Sequence, residues 1–425
     1  MQASKQAGAP AISRRVVAAT VIGNALEFYD FVTYAFFAIY IGKTFFPAGN
    51  EFISLLMSVA VFGVGFFTRP LGGILIGAYA DRAGRKPAML LTIVLITIGT
   101  LGLALTPSYE SIGIAAPIIV VLARLIQGLA LGGEIGPSSA FLIESAPAGQ
   151  RGLYGSWQLA SQGIASAVAG GFGMMLAASL SQAELQAWGW RVPFAVGLLL
   201  IPLAIYLRKS MPETLEHGPS GAPQENAGPL LRQHSRLITL ALLAIMGGTV
   251  STYVNNYMTT FAINTLKFPP VTAMAATVVG GCTTLAFALL GGWLCDRVGR
   301  RSVMLVPRLG AALLTYPAFM FMIEQKTPAA LFAVALLLSA LTAMSGAASL
   351  VAIPELLPRR VRAIGLSLAY AFAVTIFGGT TQLVVTWLIE ATGNPASPAW
   401  YVTITSAIAA IAMWLMPEGR NQKLN

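Results

Sequence analysis

Charge is what this chain has least of. Asp, Glu, Lys and Arg make up 10% of its 425 residues, where a soluble domain carries about a quarter. Acidic residues are the scarcer kind, 16 against 26 Lys and Arg. So few ionic groups cannot clothe a soluble surface, and 56% of the chain is hydrophobic, with mean hydropathy +0.73. Cysteine is limited to Cys282 and Cys295, both in apolar stretches, which excludes a disulfide framework or a cysteine-built metal site. The two histidines, His217 and His234, sit in a polar stretch with no partner motif, so no metal centre is expected. Gly-x-Ser-x-Gly, HExxH and phosphate-loop patterns are also missing, and with them the usual machinery of a membrane enzyme. No prosthetic group is expected.

What the chain has is apolar runs. Punctuated by Gly, Pro and charge, they give twelve candidate spans: 16–40, 52–78, 87–106, 114–141, 153–180, 191–208, 236–263, 271–295, 302–323, 329–352, 363–390 and 399–416. The first run follows Arg14 and Arg15 and is too long for a signal-peptide core, so it reads as span 1 with the N-terminus left inside. The net charge of +10 raises the question of nucleic acid, but the positives sit between spans, as in cytoplasmic loops. On this topology the outer segments hold only Lys43, Arg191, Lys267 and Lys326, which places both termini in the cytoplasm.

The chain repeats itself. GAYADRAGRK at 77–86 returns as GWLCDRVGRR at 292–301, and ESAPAGQR at 144–151 returns as ELLPRRVR at 355–362. The two offsets nearly agree, which implies two halves of like orientation, six spans each. The one long hydrophilic stretch lies between them. The expected division is a six-helix bundle at 1–210, a cytoplasmic linker at 211–235 and a second six-helix bundle at 236–425. The fold class is therefore an all-α polytopic membrane protein of two parallel pseudo-symmetric bundles.

The repeated Gly-x-x-x-Asp-Arg-x-Gly-Arg-Arg/Lys loop resembles the signature of the major facilitator superfamily. GNALEFYDF (23–31), RPLGG (69–73), RLIQGLALGGE (124–134), GSWQLASQ (155–162) and WGWRVPF (188–194) narrow the resemblance to its metabolite:proton symporter branch. AIYIGKTFFP (38–47), IFGG (376–379) and TGNPASPAWY (392–401) are most similar to bacterial citrate and tricarballylate carriers. The resemblance implies proton-driven uptake of a carboxylate across a bacterial inner membrane by a monomer. STYVNNYM (251–258), with two asparagines, and Arg308 depart from that pattern.

Ionisable groups at membrane depth are costly and mark function. Glu27 and Asp30 share one face of span 1, and two carboxylates repel in a poorly solvated site, which makes the pair a place to hold a coupled proton. Glu134 in span 4 is a further proton candidate; pairing with an arginine is the structural alternative for all three. A sodium ion would be served by the same carboxylates. Arg69 and Arg124 present forks that bind carboxylate two-pronged, so they read as substrate contacts or as structural ion pairs with those acids. Arg308 in span 9 is expected to snorkel to the inner headgroups.

Uncharged polar groups extend the candidate substrate site. Tyr253, Asn255, Asn256 and Tyr257 crowd span 7, Gln158 and Gln162 lie four apart in span 5, and Gln382 follows two threonines in span 11. Helix–helix hydrogen bonding is the alternative. The loop residues Asp81, Arg85, Glu144 and Arg151, with their repeats Asp296, Arg300, Glu355 and Arg362, are expected to form gating networks. Other functions fit less well. A carrier for betaine or proline needs an aromatic cage and one fewer cation, and a drug pump needs a greasy acidic cavity. Other organic acids, such as ketoglutarate and shikimate, stay open beside citrate.

Overall fold

The computed structural model describes residues 14–132, 149–210, 232–356 and 368–417, with Leu142, Ala146 and Pro147 between the first two stretches. Glu134, Glu144, His217, Arg362 and the 211–231 part of the expected linker lie outside the described residues, as do the side chains of Asp81 and Arg85. Every element among the described residues is helical. Eleven helices are long and apolar enough to cross a membrane, and a bent pair, Val17–Phe36 with Ala38–Phe45, makes a twelfth.

The spans run in the order read from the sequence. Span 1 is Arg14–Phe36 with Ala38–Phe45, and span 2 is Glu51–Phe67 with Arg69–Ala83. Spans 3 to 6 are Arg85–Leu105, Ala115–Gly132, Arg151–Ser179 and Val192–Ser210. Spans 7 to 10 are Ser235–Asn264, Pro270–Arg297, Arg300–Gln325 and Pro328–Leu356. Span 11 is Leu368–Thr392 and span 12 is Ser397–Leu415.

Span 1, read from the sequence as 16–40, runs further than that. It bends by 66° at Phe37 and continues to Phe45. No proline or glycine causes the bend. Thr33 Oγ1 donates to Tyr29 O, and Thr260 Oγ1 of span 7 donates to Ala35 O at 3.4 Å. Hydroxyls that take up helix carbonyls loosen the ladder and bend it. The extra turn then packs Phe45 edge-on against Trp190, which is fully buried at the head of span 6.

Between spans 5 and 6 lies the short helix Gln182–Ala187. Ser181 caps it, and Glu184 returns the bond to the Ser181 backbone N–H at 2.8 Å. These donors hold the exposed Glu184 carboxyl below its ordinary range.

Small residues let the backbones touch, which is how helices associate without a hydrophobic drive. Spans 2 and 4 meet at Gly65 and Gly128, where a Cβ on Gly128 would strike the Gly65 carbonyl and the Thr68 hydroxyl. Thr68 Oγ1 also donates to Leu125 O at 2.9 Å. This contact sets Arg124 against the aromatic face of span 2. Gly128→Val is expected to destabilise the protein by about 1–3 kcal/mol through overpacking. Thermal unfolding of detergent-purified protein reads this, and an unchanged melting temperature would mean that spans 2 and 4 do not approach this closely.

Candidate functional site

Arg69 and Arg124 are both buried, as their place in the sequence implied, and the structure brings them into one cluster with the span 1 acids. Arg124 is 1% exposed and Arg69 7%. Arg124 Nη1 donates to Gln127 Oε1 at 2.7 Å, and Nη2 reaches Phe62 O at 3.4 Å. Its guanidinium lies 4.5 Å from the Tyr34 ring centre, with Phe62 and Phe31 at 5.2 and 5.3 Å. Arg69 sits 3.9 Å over Phe66 and 4.8 Å over Phe31, beside the Tyr253 hydroxyl of span 7. A desolvated cation over a ring gains about 2 kcal/mol, less than the several kcal/mol needed to strip its water. Nε of each arginine has no partner. The cluster therefore has cationic hydrogen-bonding capacity to spare.

Asp30 joins the cluster from span 1. Its Oδ2 accepts from Gln127 Nε2, and its Oδ1 has no partner. Gln127 Nε2 also donates to Thr100 Oγ1 of span 3 at 3.2 Å. One amide thus stands between Asp30 and Arg124. Glu27 lines the same narrow crevice with Asp30, Phe31, Ile96, Arg124, Gln127 and Leu131.

A second, wider recess lies among spans 5, 7, 8 and 10. Asn255, Asn256, Ser166, Thr277, Thr284 and Ser339 line it with hydrogen-bonding groups, and no lining residue is charged. Asn255 Nδ2 donates weakly to Thr342 Oγ1 at 3.4 Å. Tyr253, two residues before Asn255 on span 7, packs edge-on against Phe31, Phe62 and Phe66 of the cationic cluster.

Other candidates separate by role. Gln158 Nε2 donates to Asn24 Oδ1 at 3.0 Å, a bond between spans 5 and 1, and Gln162 is half-buried one turn on. Tyr257 accepts from Thr386 of span 11 at 2.9 Å, so its hydroxyl is used within the protein. Gln382 is 1% exposed, and neither end of its amide has a partner. Arg308 does not snorkel. It is fully buried, and Nη1 donates to Gly247 O at 3.0 Å and Ser251 Oγ at 2.9 Å. Its side chain turns onto span 7 instead.

At the Arg300 end the structure joins three of the expected gating residues. Asp296 Oδ1 and Oδ2 accept from Gly152 N at 2.8 Å and Leu153 N at 2.9 Å, capping the N-terminus of span 5 with a carboxylate. Arg300 pairs with Asp296 at 3.3 Å and with Glu355 at 3.1 Å. Glu355 therefore reaches across to span 9. Arg151 is half-buried at the start of span 5. At the centre, spans 2 and 11 are in contact, with Thr375 Oγ1 donating to Phe66 O at 3.2 Å. Span 11 makes one π-helical turn there, Val374–Gly378.

Sequence reading missed Gln127, Asn24 and the rings of Phe31, Phe62 and Phe66. Gln127 had a signal, since it lies three residues after Arg124 on the same helix face.

A family model described as Sugar (and other) transporter matches residues 16–218 and 214–425. The chain is 37% identical over 399 residues to the citrate-proton symporter of Salmonella typhi, covering 92% of this chain and 91% of the relative. It is 34% identical over 418 residues to the alpha-ketoglutarate permease of Escherichia coli K12, covering 95% and 93%. Among solved structures it resembles the partially occluded inward-open xylose transporter XylE of E. coli. The TM-score is 0.79 at 21% identity, over 96% of this chain and 99% of the other.

Asp296→Asn is expected to loosen the Arg300 end. Ser156, fully buried beside Gly292, serves as reporter once replaced by cysteine in a Cys282→Ala background. Alkylation of Ser156→Cys should be about tenfold faster with Asp296→Asn, as for loss of a charge-assisted bond. Equal rates would mean that Asp296 does not hold this end shut.

Proposed function

We propose that this chain, which belongs to the sugar (and other) transporter family of the major facilitator superfamily, is a proton-coupled symporter of a small carboxylate. It is a multi-pass membrane transporter and not an enzyme. Citrate or a related tri- or dicarboxylate is the first candidate substrate, because the citrate-proton symporters and the ketoglutarate permease are its relatives. The observation that carries the reading is the pair of buried guanidinium groups, each with Nε unpartnered, beside the Asp30 carboxylate.

Charge balance supplies the mechanism. A carboxylate entering the cluster satisfies the arginines, and a proton on Asp30 keeps the loaded site from gaining an uncompensated negative charge. Asn255, Asn256 and Gln382 offer neutral hydrogen bonds to the rest of the substrate. Glu27 is the second proton candidate on the crevice wall. Access alternates by opening one end at a time. The basic Arg300 end faces the cytoplasm on the charge bias, and its Asp296, Arg300 and Glu355 network holds that side closed. A zwitterion with a quaternary ammonium head needs free aromatic faces. The rings of Phe31, Phe62 and Phe66 are taken by the protein's own cations, which weighs against betaine.

Proteoliposome uptake of labelled citrate, tricarballylate, ketoglutarate and betaine under an imposed pH gradient tests the reading. A carboxylate should accumulate with the gradient; uptake of none, or uptake indifferent to the gradient, rejects symport. Arg124→Ala and Arg69→Ala should each weaken citrate binding at least about tenfold by calorimetry. Asp30→Asn should leave exchange of substrate but abolish its drive by the gradient. Intact gradient-driven accumulation in that variant moves the proton to Glu27 or Glu134.

A further inference from the structure

Arg124 and Asp30 communicate through a third side chain. Gln127 is 3% exposed and spends its whole amide on the two charged groups and on Thr100. Its Oε1 faces the guanidinium and its Nε2 faces the carboxylate. Each end matches the charge it meets, since the oxygen can only accept and the NH2 can only donate. That match depends on Oδ2 of Asp30 carrying no proton.

We propose that Gln127 is a positioning residue that reports the protonation state of Asp30 to Arg124 by turning its amide over. The proposal rests on the symport reading above and adds a part to it. When a proton settles on Oδ2, the Asp30 oxygen that faces Gln127, that atom becomes a donor and no longer accepts from the NH2. Rotation about the last side-chain bond brings Oε1 to the Asp30 hydroxyl and leaves Nε2 facing Arg124 Nη1, donor against donor. Arg124 then loses its best hydrogen bond, the 2.7 Å contact to Gln127. Its freed Nη1 lies beside Nη2, which holds only the 3.4 Å contact to Phe62 O, and the two form a two-pronged donor for a carboxylate. Proton first, substrate second follows from this geometry.

The surroundings permit the turn. Thr100 Oγ1 accepts from Nε2 while its hydroxyl donates to Ile96 O at 2.9 Å, and after the turn that proton exchanges the carbonyl for Oε1. Gln127 lies against Gly99, where a Cβ would approach Gln127 Cδ to 3.2 Å, so a glycine keeps the space clear. The rings of Tyr34, Phe31 and Phe62 cover the neighbouring guanidinium. The other titratable or charged groups around Asp30 and Arg124 are few among the described residues. They are Glu27 and Tyr29 on span 1, Arg69 on span 2, Tyr34 under the guanidinium and Tyr253 on span 7. Among the described residues, spans 3 and 6 bring neutral groups here, Thr100 and Gly197.

The test is citrate binding by calorimetry at a series of pH values from 5.5 to 8.5, on purified full-length protein. Each variant is expressed as a ratio to wild type at the same pH, in which titration of citrate itself cancels. Gln127→Met removes both amide ends at similar length and leaves Arg124 without its competitor. Its affinity should match wild type at low pH and exceed it by about tenfold at high pH, flattening the profile. Gln127→Glu keeps an acceptor on Arg124 that cannot turn into a donor while ionised, so binding should be weak across the neutral and alkaline range. A merely structural role predicts weaker binding at every pH in Gln127→Met, or a profile parallel to wild type, and either result overturns the relay while leaving symport intact. Misfolding of Gln127→Met leaves Gln127→Glu to decide, since a wild-type profile in that variant also overturns the relay. Wild-type protein that binds none of citrate, tricarballylate and ketoglutarate overturns the carboxylate reading and the relay with it.

Discussion

Two guanidinium groups buried in the middle of a low-dielectric bundle are the constraint on which the rest of this structure depends. Removing each from water costs several kcal/mol, and the protein offsets that in part with aromatic faces and a glutamine amide. Full neutralisation by fixed acids would lock the site. Here Asp30 touches the cluster through Gln127, and both arginines keep an unpartnered Nε. The site is stable enough to fold and incomplete enough to bind.

Much of the surrounding architecture serves that compromise. The close approach of Gly65 and Gly128 sets span 4 against span 2, so that Phe62 and Arg124 meet. The bend in span 1 leaves Asp30 and Phe31 at the centre while turning the next residues toward Trp190. Span 11 accommodates span 2 through a π-helical turn, a feature often found at functional sites. Its Thr375 bonds the Phe66 carbonyl, and Phe66 in turn lies under Arg69. The same contacts that seal the centre therefore also position its charge.

Closure at the Arg300 end uses different physics. Asp296 caps a helix N-terminus across the interface between spans 5 and 8, and Arg300 ties it to Glu355. Such bonds lie near water and are individually modest. They suit a contact that must form and break, whereas the buried cluster suits one that must discriminate. Arg308 fits neither use. It bonds only to Gly247 and Ser251 of span 7, where it braces a glycine-rich turn.

The amino-acid sequence by itself determined the twelve spans, because apolar length is read along the chain and needs no partner. It also marked Arg69, Arg124, Glu27 and Asp30, because charge inside an apolar run is conspicuous at any fold. Asp296 and Arg300 were marked by the internal repeat. Tertiary structure alone decided how these groups are connected. That Gln127 joins Arg124 to Asp30, that Gln158 is spent on Asn24 and Tyr257 on Thr386, and that Arg308 is sealed against span 7 all depend on which helix faces which. In a bundle where nearly every face is apolar, hydrophobic periodicity says little about facing. Packing of small residues and the need to satisfy each buried polar group settle it.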